Sequence, residues 1–87
     1  MKEMDGAVFA PHEGKVFTAR AGGHGLTLRS VTPQACGFIL IFTGPARKLL
    51  PEGLHEFILE DGTVFAFYIM PIHTPAGGRQ DYQAVFN

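Results

Sequence analysis

The chain has 87 residues, 46% of them hydrophobic, and its seven Lys and Arg against eight Asp and Glu leave a net charge of −1. That length suits one domain, residues 1–87, with one modest core, and the apolar content excludes a disordered chain. The near-neutral balance leaves no electrostatic footprint for nucleic acid or an anionic membrane. A single cysteine, Cys36, allows no internal disulfide, so stability has to come from packing.

Met1–Gly6 carries acids and lacks the apolar stretch of a signal peptide, and no run approaches the ~20 apolar residues of a membrane-spanning helix. A cytoplasmic protein is the expectation. Phe9–Gly14 reads as a turn or one helical turn, because Pro11 suits a helix start while Gly14 follows too soon for anything long. In Lys15–Ala21, Phe17 and Ala19 alternate against Thr18 and Arg20, the period of a half-buried strand. Gly22-Gly23-His24-Gly25 reverses the chain, and Leu26–Val31 resumes the alternation with Leu26 and Leu28 inward. Thr32–Ala35, with Pro33, is expected to break this second strand.

Phe38-Ile39-Leu40-Ile41-Phe42 is apolar on both faces. Periodicity alone leaves a doubly covered strand or a short buried helix, and the β-branched and aromatic content favours the strand. Gly44-Pro45 ends it, and Leu49-Leu50-Pro51 is expected to tuck onto the core. Leu54–Glu60 has His55, Phe57 and Leu59 on one face and Leu54, Glu56, Ile58 and Glu60 on the other. Asp61-Gly62 signals a hairpin leading directly into Thr63–Ile72, whose pairing Pro71 limits at its end. Pro75–Arg79 loops back to a terminal run, Tyr82–Phe86, which is expected to finish a sheet. The reading is all-β: a small antiparallel six-stranded barrel or a two-sheet sandwich, with at most one short N-terminal helical turn.

The chain resembles an uncharacterised family of short bacterial proteins, a domain of unknown function. The resemblance is carried by Phe9 with Pro11 and Gly14, Leu26-Thr27-Leu28, Phe42-Thr43-Gly44-Pro45-Ala46 and Leu50-Pro51-Glu52-Gly53. It continues in Phe67-Tyr68-Ile69-Met70-Pro71 and closes in Gly78-Arg79 with Tyr82-Gln83-Ala84-Val85-Phe86-Asn87. The hairpin between Leu54 and Val64 departs from the pattern, being more apolar and differently spaced around Asp61-Gly62. The resemblance implies a compact β domain, a bacterial source and a gene neighbourhood of tail-fibre-like or surface-assembly proteins. It supplies no activity and no catalytic residue.

The residues themselves point to no enzyme. His12, His24, His55 and His73 lack the paired close spacings of zinc ligands, so neither a metal nor another cofactor is expected. His55, on a face with Phe57 and Leu59, reads as a buried imidazole donating one hydrogen bond. Cys36 has no neighbouring base in sequence and reads as a buried or half-buried thiol rather than a nucleophile. Gly22–Gly25 and Gly77-Gly78-Arg79 are flanked by strands, unlike phosphate-cradling loops. Phe65, Phe67 and Tyr68 with Arg79 lack the positive groove that base stacking needs, so no nucleic-acid partner is expected.

The strongest functional clue is surplus apolarity. If Phe65, Phe67 and Ile69 face the core, then Val64, Ala66, Tyr68 and Met70 face away, and Ile39 and Ile41 are left over from the third strand. Either Val8-Phe9 and Leu49-Leu50 cover these residues, or they form a binding surface. The leading expectation is a non-enzymatic protein-interaction module, a homodimer or a subunit docking on a larger partner, through Ile39, Ile41, Tyr68 and Met70. Strand addition along an open edge is a further route to such contacts. The alternative is a small-ligand binder with a rim pocket near His55 and Arg79. Six strands carrying many phenylalanines should be packed solid, which makes a small-molecule ligand the less expected partner.

Overall fold

A computed structural model describes residues 6–74 and 77–87. Helix α1 (Gly6–Phe9) and a 3₁₀ turn (Ala10–His12) precede six strands: β1 (Val16–Ala19), β2 (Gly25–Gln34), β3 (Gly37–Pro45), β4 (Gly53–Ile58), β5 (Val64–Ile72) and β6 (Arg79–Phe86). The strands close into an antiparallel barrel in the order β1-β2-β3-β6-β5-β4. Of the two architectures the sequence left open, the barrel is therefore the one formed.

Closure follows from the alternation of side chains. Phe17 and Ala19, Leu26 and Leu28, Phe38, Leu40 and Phe42, Phe57, Phe65, Phe67 and Ile69, Tyr82 and Ala84 all point inward and are buried. Phe57, Phe67 and Phe42 form a run of near-parallel rings, 4.7 and 5.7 Å between successive centroids. Apart from the Tyr82 hydroxyl, the buried side chains among the described residues are apolar. The barrel axis is thus filled by aromatic and aliphatic groups, as expected for so narrow a barrel.

Both ends are plugged from outside the strands. Phe9 is fully buried, its ring 4.7 Å from Phe65 and 5.5 to 6.4 Å from Phe86, Phe38, Phe67 and Phe17. At the other end Leu50 is buried, and its N–H donates to the Tyr82 hydroxyl at 3.0 Å. Leu49 does not tuck in with it but stands exposed. The two plugs seal the ends of the barrel and leave the outer wall to itself.

Several element boundaries differ from the sequence reading. Strand β2 does not break at Thr32–Ala35. It bulges between Leu28 and Ser30 and runs on through Pro33, which pairs with Phe38. The β1 ladder reaches only Thr27, so beyond the bulge β2 has a partner on one side, where a missing N–H is tolerated. Pro71 likewise pairs with Tyr82, while the β4 ladder stops at Ile69. The β4–β5 register aligns Ile58 with Val64, so Asp61-Gly62 sits inside a longer connection, not a two-residue turn. Leu59 is drawn back into the core there, held by its N–H to the Thr63 carbonyl at 2.9 Å. Cys36 is exposed, not buried, because it lies at the tip of the β2–β3 hairpin. The expected Pro75–Arg79 loop falls in part outside the described residues; Arg79 itself already belongs to β6 and pairs with Pro45.

Candidate functional site: the outer wall

Strands β3, β6 and β5 lie side by side, and their outward residues line up by register. Ile39 faces Val85, Ile41 faces Gln83, and Gln83 faces Met70. The β5–β6 ladder runs from Met70 to Ile72, and Tyr68, two residues before Met70 on the same outward face of β5, pairs with Leu54 of β4. Ile39, Ile41 and Met70 are half-buried by their neighbours, whereas Val85, Tyr68 and Leu54 expose 48%, 49% and 73% of their surface. The structure therefore places Ile39, Ile41, Tyr68 and Met70 on the outward side of the barrel, on strands that flank or neighbour β6, with Gln83 between Ile41 and Met70. Sequence reading missed Val85 and Leu54 as members, although alternation along β6 and β4 places both outward.

Gln83 sits at the middle of the wall, its side-chain N–H₂ 3.4 Å from the Met70 sulfur. The wall's border is polar. The Tyr68 hydroxyl donates to the Glu52 carboxylate, which raises the Tyr68 pKa because the bond is made by the neutral phenol. At the other border Thr43 donates to Asp81 at 2.7 Å, and Arg79 pairs with the same carboxylate at 3.3 Å. An apolar centre with a polar rim is the usual anatomy of a protein contact surface.

The expected rim residues are engaged separately. His55 points inward beside Phe57, 6.2 Å between ring centroids, and its Nε2 donates to the Pro51 carbonyl at 2.7 Å. It is half-buried, not fully buried, and fastens the loop between β3 and β4 to β4. Arg79 is committed to Asp81 on the far side of β5. Neither lines the surface depressions beside α1 and along the β1–β4 side of the barrel. One, of about 440 Å³, lies between α1 and the β2–β3 hairpin over Gly6, Ala10, Val31, Pro33 and Phe38.

The other histidines are scattered. His24 approaches the Ala21 carbonyl at 3.4 Å inside its turn, and His73 is exposed. His12 lies edge-on to Phe65 and Phe17, with a buried Nδ1 that has no partner. Among the described residues no three His, Cys, Asp or Glu side chains converge where a metal ion could be held. No helix among them is long and apolar enough to cross a membrane.

Fold and wall together define a small, closed, solid-cored antiparallel β-barrel with an apolar outer face. The chain belongs to the family described as a domain of unknown function, DUF6916, which matches residues 4–86. No curated protein and no solved structure matches it.

Proposed function

We propose that this chain is a non-enzymatic interaction module that associates through the β3–β6–β5 outer wall, with a second copy of itself as the first partner to test. The observation carrying this reading is the outward apolar set of Ile39, Ile41, Val85, Met70 and Tyr68 around Gln83, on a barrel whose own plugs, Phe9 and Leu50, are spent on its ends. The stripe carries no charge, so it selects no charged partner. Its central Gln83 can both donate and accept, which suits a two-fold contact in which the same patch meets itself.

The size of the stripe sets the strength. Three strands ~4.8 Å apart and about 20 Å long cover roughly 300 Å², well below the ~800 Å² per partner of a stable complex. Association through this wall alone is therefore weak and reversible. Sedimentation of the full chain from about 10 μM to 1 mM tests it: the average mass should rise with concentration, and Ile41→Glu or Tyr68→Glu should hold it at the monomer value. A wild-type mass that stays monomeric up to about 1 mM would rule out self-association through this wall.

A small-ligand reading would place its pocket at the rim by His55 and Arg79. The filled axis and the separate commitments of those two side chains favour the interaction reading instead.

A further inference from the structure

The barrel closes unevenly, and one seam carries unused backbone. Strand β1 meets β4 only at Thr18–Ile58 and Ala19–Phe57, with Arg20 N–H reaching the Glu56 carbonyl just beyond at 2.9 Å. Toward β2, the Lys15 carbonyl accepts from Leu28 N–H at 3.0 Å and Ala19 N–H donates to the His24 carbonyl at 2.7 Å. Odd-numbered residues of β1 therefore bond to β2, and even-numbered residues face β4. The same register makes Val16 and Glu60 the next pair across the seam, yet no hydrogen bond joins them. The Leu59 N–H continues the β4–β5 register by bonding the Thr63 carbonyl, and the chain turns at residues 60–62, so the ladder to β1 ends before Val16.

A depression of about 600 Å³ opens at this point, with Gly14, Lys15 and Val16 on one wall and Leu59, Glu60 and Asp61 on the other. A second depression of about 410 Å³ continues it along the seam over Val16, Thr18 and Ile58. Val16 is 50% exposed beside it. The Asp61 carboxylate is held ionised below the usual carboxylate range, chiefly by the Thr63 N–H that donates to it at 2.9 Å. One cation and two anions thus border the slot.

We propose that the β1–β4 seam is a strand-addition site, in which an extended peptide pairs with the free edge of β1 at Val16 and sets a basic side chain against Glu60 and Asp61. Main-chain donors and acceptors at a strand edge select an extended polypeptide over a compact small molecule. The acidic wall selects the sign of its side chain. The site is separate from the outer wall on β3, β6 and β5, so each stands or falls on its own test.

Two measurements decide it. In the free protein the Val16 amide should exchange with solvent at least about a hundredfold faster than the Phe17 amide, which pairs with Leu26. Equal protection of the two would overturn the proposal. The probe is the blocked peptide acetyl-Thr-Val-Lys-Val-Thr-amide, titrated into isotopically labelled full-length protein. Its amide shifts should cluster at Gly14–Thr18 and Leu59–Asp61, and Val16 exchange should slow by about tenfold or more. Methylating the peptide's alternate amide nitrogens should abolish the effect, and exchanging its lysine for glutamate should weaken binding by about threefold or more. Shifts that are absent at millimolar peptide, unchanged by amide methylation, or centred on Ile41 and Tyr68 would each overturn it.

Discussion

Phe9 belongs to none of the strands, yet its ring is fully part of the core. Its ring touches five other phenylalanines, from Phe17 on β1 to Phe86 at the end of β6, and none of its surface is exposed. Phe9→Ala removes that ring from a mouth whose strands are fixed by their ladders, so the surroundings cannot collapse to fill the space. Substitutions of this kind cost about 3–5 kcal/mol. A domain of this length has only about 4–13 kcal/mol of total stability. In urea the variant's midpoint should fall by about 2 M or more with an unchanged slope, since the surface exposed on unfolding is nearly the same. A loss of less than about 1 kcal/mol would mean that the barrel is already sealed without the helical segment, contrary to the packing described.

Three further outcomes are expected. Tyr82→Phe deletes only a hydroxyl, but it strands the buried Leu50 N–H that donates to it, so urea unfolding should show a loss of about 1–3 kcal/mol. Gly37→Ala places a Cβ 1.9 Å from the Phe86 carbonyl oxygen at a φ of +108°, and melting should show about 2 kcal/mol or more of destabilisation. Tyr68 should titrate above its ordinary value of about 10 when followed by its ring carbon resonance, and Glu52→Gln should bring it back toward that value. Because the folded value is raised, the stabilisation from this bond is present below about pH 10 and disappears as pH rises through the folded value.

The barrel was legible in the sequence because its inward positions are almost uniformly apolar: Phe17 with Ala19, Leu26 with Leu28, and Phe65, Phe67 and Ile69 each betray a face by alternation. The outer wall was half legible for the same reason. Ile39, Ile41, Tyr68 and Met70 are a surplus that alternation exposes, while Val85 and Leu54 are single apolar residues whose importance comes only from cross-strand register. Register is a non-local property, and no pattern along one strand reports it. The same limit hid the length of β2, since whether Pro33 ends a strand depends on which side the next strand lies. It also hid the seam, where Val16 and Glu60 become neighbours only through barrel closure. Leu49 and Leu50 differ only in the direction each side chain takes from an irregular loop, and there the sequence offers no period to read.

Self-association through the outer wall is decided by the mass of the full chain against concentration, with and without Ile41→Glu. A reversible rise toward twice the monomer mass, lost in the variant while the fold is kept, is the expected result. A rise that the variant preserves would place the contact elsewhere on the barrel, and no rise at all up to about 1 mM would contradict self-association outright.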